Sequence, residues 1–460
     1  MKTIKLTTVK EPTIHEEVAP VFLTDETMQQ RKEKILCLMK KAAYDYLVVY
    51  ADKEHGSNFE YLTGFFPRFE EGLLIINKEG ESSFVLGNEN LKMVNHARIE
   101  GQLYHSPYFS LPNQPMDNER PLSDIFKEIG LATAKKIGVA GWKMFTPKLT
   151  DGKQLLDLPY FIVEELKQAA QQAELLNACD LFISGEYGAR TVNNANEFAH
   201  YEYGANLASS RILRALNAIE PGIKEAELGE LLNGEGQLNS VVTIAAAGDR
   251  FEKANFYPTH KAVKEGDKLS LTIGYKGGLS SRSGFVIQKE SELPADQQDY
   301  LEKVVYPYFR AMTAWLSESK IGRTGGELYQ TIETVLPKET YGWSLNPGHL
   351  VADEEWMSSP IYPESKEVLK SGMIFEIDII PSIPGYQGTS AEECVALADE
   401  ELQKEIKEQY PELWARIEGR REYIRNELNI PLSDDILPLS NTVAYLRPFF
   451  LAKDQALVVE

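Results

Sequence analysis

Acidic and imidazole side chains in the last third of the chain stand where they could move protons. Within residues 373–380, Glu376 and Asp378 alternate with Phe375, Ile377 and Ile379, so an extended backbone turns both carboxylates to one face. Glu392 lies in Ser390-Ala391-Glu392-Glu393-Cys394-Val395. Its own side of a strand also bears Cys394 and Ala396, and a carboxylate partly buried among them holds its proton more tightly unless a cation or a donor is near. His349, preceded by Gly348, could be that donor. An isolated acidic pair is more often a solvated strand face, and a lone histidine more often bonds to backbone. On that ground Glu376 is assigned to solvent, and Asp378, Glu392 and His349 gain weight only from the motifs around them.

Metal-binding patterns are sparse. Cys37, Cys179 and Cys394 form no CxxC pair, and no Asp or Glu occurs between Asp267 and Glu290. The spacing of the cysteines fits a reducing cytosol.

The elements that must position these residues fall into two groups. In the first part, residues 26–41 have apolar positions at helical spacing and 44–50 form a short apolar run; 72–76, 83–86 and 136–139 are further strand candidates, with a helix over 122–129. That pattern predicts an α/β domain. Residues 103–120, rich in Pro, Asn and Tyr, are expected to form a surface loop. A long helix is expected over 162–182, and Asn193-Asn194-Ala195-Asn196-Glu197 is a cap for another that runs to Ile219. Beyond Pro221-Gly222 the pattern shifts to period two and β-branched residues at 240–247, 268–275, 283–288, 373–380 and 392–397, with helices over 295–316 and 326–335. Segregated helices and hairpin-like strands predict an α+β second domain. A charged helical tail spans 400–429, and an extended, proline-containing segment follows over 431–451.

Bulk properties exclude several classes. A net charge of -21 with no long run of Lys and Arg opposes phosphate backbones and anionic lipid surfaces, so neither a nucleic-acid nor a membrane partner is expected. Residues 1–20 contain no apolar export segment, and nowhere do about 18 apolar residues run together. A cytoplasmic location is expected.

Several short segments occur in a telling order. They are Pro221-Gly222 before a Glu-rich helix, Tyr257-Pro258-Thr259, Lys264-Glu265-Gly266-Asp267 ahead of a strand, Pro347-Gly348-His349, and Lys370-Ser371-Gly372-Met373-Ile374-Phe375. Together they span most of residues 190–397 and resemble the pita-bread superfamily of aminopeptidase P, prolidase and creatinase. Tyr61-Leu62-Thr63-Gly64-Phe65 is similar to the smaller domain that precedes the catalytic one in those enzymes. The resemblance implies a creatinase-type α/β domain over residues 1–182, then an α+β pita-bread domain over 183–460 with a helical extension from about 400.

In the metal-dependent members two Asp on neighbouring strands, one His and two Glu bridge two divalent ions that activate water. By the resemblance, His349 matches the His, Asp378 stands where the first Glu is expected and Glu392 matches the second. Thr272 takes the place of the first Asp, and Arg282 is the nearest counterpart of the second. An arginine there repels a cation. Two assisting histidines are replaced by Asn255 and Trp356.

The site implied has no metal and no other cofactor. His349, Asp378 and Glu392 are its catalytic residues, and Phe66, Arg68, Asn255, Arg282 and Trp356 contact the substrate. Creatinase keeps the fold without a metal, and its Phe-x-Arg element, which reaches into the partner subunit's active site, is similar to Phe66-Pro67-Arg68. That implies a homodimer. The match has a gap, because Asn255 aligns with creatinase's acid/base histidine and asparagine cannot transfer a proton near neutral pH.

Three readings stay open. The first is metal-independent hydrolysis of a C–N bond in a small amino-acid-like or guanidino-like substrate. The second is a non-catalytic protein that binds a small molecule or short peptide in the same cavity. The third is a metal-dependent Xaa-Pro aminopeptidase or dipeptidase.

Overall fold

The computed structural model describes residues 3–386 and 388–460. The chain divides into two compact units, one of residues 23–191 and one of residues 1–22 with 192–460. The division thus falls at Thr191 rather than after Phe182, and the leader belongs to the C-terminal unit. The physical reason is strand pairing: Ile4–Thr8 pairs antiparallel with Gln455–Val459, and Val9 N–H donates to Asp454 O at 2.9 Å. Further along, His15 O accepts from Asn206 Nδ2 at 2.8 Å, and Val21 O lies 2.7 Å from His200 Nδ1.

The N-terminal unit is built on a six-stranded sheet. Its order is Gln102–His105, Ser82–Leu86, Gly72–Asn77, Tyr46–Ala51, Lys136–Ala140 and Glu174–Asn177. Val48, Leu73, Ile75, Val85, Ile137 and Val139 pack against Ile125 and Phe126 of one helix and Ile162 and Leu166 of another. This is the expected α/β domain with one difference: the long helix over 162–182 is broken. Tyr160–Ala169 is helical, but Glu174–Asn177 pairs in parallel with Lys136–Ala140, so sheet pairing overrides local helix propensity there. Residues 103–120 also contribute the edge strand and a short 3-10 turn at Pro107–Phe109.

The C-terminal unit carries a seven-stranded antiparallel sheet. The order is His349–Leu350, Ile374–Glu376, Ser390–Leu397, Gly278–Phe285, Lys268–Tyr275 and Ile244–Ala247, with Ile436–Pro438 pairing Ser390–Leu397 as well. The helix Ala195–Ala218 begins at a capping box in which Asn194 and Glu197 each accept from the other's backbone N–H. It packs on the two central strands. Gly204 permits that approach, because a Cβ there would lie 1.8 Å from Lys276 O. The charged tail forms two helices, Glu400–Gln409 and Pro411–Asn426, separated where Pro411 lacks an N–H for the first helix. The second is tied to Ala195–Ala218 by Arg416 and Arg420, which both bind buried Glu202. The extension is therefore part of this unit's core. Among the described residues no helix is long and apolar enough to cross a membrane.

Candidate active site

The central hairpin decides which side chains share a face. Tyr275 pairs with Gly278 across a two-residue turn, Lys276-Gly277, in which Gly277 has φ +100°. That register sets Thr272 opposite Ser281, and Ser281 in turn opposite Glu392. Paired residues in an antiparallel ladder point to the same side. Thr272, Ser281 and Glu392 therefore form one row, and the two hydroxyls are hydrogen-bonded at 2.8 Å. Ser390 Oγ donates to Glu392 Oε1 at 3.2 Å.

Arg282, one residue on, projects to the opposite face. Its Nη2 lies 2.5 Å from Glu393 Oε1, its Nε donates to Tyr445 O at 3.0 Å, and Nη2 also donates to Thr442 O at 2.8 Å. The expectation that Arg282 lines the site is corrected: it is a buried structural arginine, and Ser281 occupies the facing position. Hairpin register alone carried the signal, since a two-residue turn at 276–277 forces Thr272 to face Ser281.

His349 is fully buried and stacks on Trp356 with ring centroids 4.1 Å apart and planes inclined by 22°. Its Nδ1 lies 3.2 Å from Leu350 O. Nε2 lies 3.1 Å from Glu355 Oε1 and 4.0 Å from Asp378 Oδ2. Neither is a hydrogen bond, the second being too long, and each is an ion pair when the imidazole is protonated. Burial alone would depress the imidazole pKa; Glu355 and Asp378 outweigh it and raise the value. Glu355 was not foreseen, because it sits in an acidic run that reads as a solvated loop.

Asp378 is 6% exposed, and its Oδ1 has no hydrogen-bond partner among the described residues. Burial pushes its carboxyl up to about 6 against the counteracting pull of His349. Burial, then Asp378 and Glu355, raise Glu392 well above the usual carboxylate range. Trp356 stays partly exposed above this group.

Glu376, assigned to solvent from its sequence, is fully buried. Its Oε2 accepts from Leu279 N–H at 3.2 Å, and burial raises its pKa far above normal. The strand carrying it is interior to the sheet, so alternation did not separate a wet face from a dry one. Asn255 lies exposed after the short helix Asp249–Glu252, its N–H donating to Arg250 O at 2.9 Å. Phe66 and Arg68 belong to the N-terminal unit, where Arg68 is exposed and its Nη1 donates to Lys53 O at 3.0 Å.

The donor set does not fit the bridged ion pair of the metal-dependent enzymes. Such a pair needs anionic oxygens on both ions, whereas Thr272 and Ser281 offer hydroxyls already bonded to each other. His349 Nε2 already faces Glu355. Among the described residues no three His, Cys, Asp or Glu side chains converge as a ligand group.

Comparison with known proteins agrees with this architecture. Residues 202–399 match the profile of metallopeptidase family M24. A prolidase from Thermococcus sibiricus superposes with a TM-score of 0.62 at 20% identity, covering 81% of this chain and 95% of the other. An Xaa-Pro dipeptidase from Bacillus anthracis gives 0.60 at 19%, covering 81% and 96%. An X-Pro aminopeptidase from Thermotoga maritima gives 0.60 at 16%, covering 80% and 95%. No curated protein sequence matches the chain. The chain has the pita-bread fold, with its match to family M24 confined to residues 202–399. At these identities the likeness to the solved structures is one of fold.

Proposed function

We propose that the C-terminal unit hydrolyses a C–N bond in a small amino-acid-like or guanidino-like substrate by acid–base chemistry, without a metal pair. The observation that supports this reading is Asp378: a buried carboxylate with an unpartnered Oδ1, held 4.0 Å from His349 Nε2 and electrostatically coupled to Glu392. Two carboxyls whose environments push their proton affinities apart divide into acid and base. Asp378, its carboxyl pushed up to about 6 beside His349, is assigned the base; Glu392, held well above the usual carboxylate range by burial and by Asp378, is assigned the acid.

In the step proposed, Asp378 takes a proton from water as the water oxygen bonds to the substrate carbon. The C–N bond then breaks with its electron pair going to nitrogen, which takes the proton of Glu392. Glu355 draws the His349 imidazole toward its charged form, and that charge pulls the Asp378 carboxyl toward ionisation. Trp356, stacked on His349 and partly exposed, offers a flat apolar surface beside them.

The test uses chelator-treated protein and a panel of glycylproline, creatine, guanidinoacetate and glycinamide. Turnover of at least one, lowered about 10²–10⁴-fold by Asp378→Asn or Glu392→Gln, supports the reading. Turnover that manganese restores and chelation abolishes would sink it in favour of a metal-dependent Xaa-Pro peptidase. No turnover, with a melting point raised by one of these compounds, would leave a binding protein.

A further inference from the structure

Tyr308 reaches the Glu392 strand from the helix Tyr306–Glu318. That helix is entered through a π-turn at Leu301–Val305, where Pro307 has no N–H to return to the carbonyl four residues back. Such π-turns recur at functional sites. Tyr308 is fully buried, and its Oη accepts the Ala391 N–H at 2.8 Å. This is its one hydrogen bond among the described residues. A phenol that accepts from backbone still has its own proton to give. Ala391 directly precedes Glu392, and after burial itself the Glu392 carboxylate is the strongest influence on the phenol, with Asp378 also felt. The hydroxyl is thus a donor anchored on the strand that carries Glu392, next to that residue in the chain.

We propose that Tyr308 is a catalytic hydrogen-bond donor of this site, acting on the substrate atom that gains negative charge when water adds to the carbon of the C–N bond. The role rests on the hydrolytic reading above. As the water oxygen bonds to carbon and its proton passes to Asp378, the π electron pair of the C=O or C=N bond moves onto the heteroatom. Tyr308 donates a hydrogen bond to that atom and keeps its proton. The pair returns as the C–N bond breaks and the leaving nitrogen takes the proton of Glu392. Because Ala391 N–H already fixes the phenol oxygen, the donor needs no reorganisation during the step.

Tyrosine labelled with ¹³C at Cζ, assigned with Tyr308→Phe, tests the direction of the proton at a single pH and without a ligand. Glu392→Gln and Asp378→Asn should each move the Tyr308 resonance. They should leave that of Tyr300, a buried tyrosine bonded to Gly388 O at 3.2 Å, in place. A Tyr308 resonance unmoved by both variants overturns the proposal. In the turnover arm, with the same four compounds as probes, Tyr308→Phe should lower kcat about 10²–10³-fold with little change in KM. An unchanged kcat overturns the catalytic role. Tyr308→Phe also strips Ala391 N–H of its acceptor, so a loss of activity counts only if its melting curve stays cooperative; the resonance arm does not depend on that variant's stability. If the wild-type chain turns over none of the probes, the hydrolytic reading and this step fall together. The resonance shifts then still report, separately, whether the hydroxyl faces the site.

Discussion

Replacing Arg282 by methionine should unfold the C-terminal unit more easily and leave its ligand chemistry alone. The guanidinium is 1% exposed, and Glu393, its partner at 2.5 Å, is 0% exposed. Removing one member of a buried pair leaves the other charged and desolvated, which costs about 3–5 kcal/mol. Arg282 also donates to Tyr445 O and Thr442 O, and each stranded carbonyl adds about 1 kcal/mol or more. Set against a typical domain stability of about 5–15 kcal/mol, the loss is large. Glu393 keeps two hydroxyl donors, Ser280 and Thr442, which hold the loss near the lower end. Denaturant melts of the variant, of Glu393→Met and of the double variant measure the coupling. The double variant, with no buried charge left, should recover part of the loss. An Arg282→Met protein that is as stable as wild type yet has lost ligand binding or turnover would refute the reasoning, because the arginine would then have to face the site.

Stability should also fall with acid. The Glu202 carboxyl is penalised by burial, but Arg420 and Arg416 together hold its pKa below the ordinary value of 4.5. A depressed carboxylate adds stability that is fully present above its unfolded pKa and is lost as pH drops through the folded one; melts from pH 7 to pH 3 should show this, and Glu202→Gln should flatten that dependence. Deleting residues 1–22 removes the strand paired with Gln455–Val459 and buried Ile4 and Val9, so the C-terminal unit should become the first target of limited proteolysis; an unchanged digestion pattern would show the leader to be dispensable. The proposed homodimer predicts a sedimentation mass twice that of the chain at micromolar concentration, and a stable monomer would remove Arg68 from any shared site.

Much of the outline was legible in the sequence because local pattern and final structure agree there. The capping box at Asn194 and Glu197 started a helix where local chemistry said it should, and the strand expected over 268–275 formed over Lys268–Tyr275. The order of short motifs in the second half resembles that of the pita-bread enzymes, and that resemblance implied the fold found; Gly222, Gly266, Gly348 and Gly372 of those motifs all take positive φ. The scarcity of carboxylates between Asp267 and Glu290 needed no structure to see. What only the tertiary structure decided are relations between segments distant in sequence. Pairing of Ile4–Thr8 with Gln455–Val459 put the leader in the C-terminal unit, a contact no local pattern encodes. Burial of both sheet faces hid Glu376, so alternation could not tell water from core. The two-residue turn at Lys276-Gly277 set the register that turned Ser281 toward Glu392 and Arg282 away, because a shift of one residue exchanges the faces of a strand. Glu355 reaches His349 from a loop and Tyr308 reaches Ala391 from a helix, contacts that only packing makes.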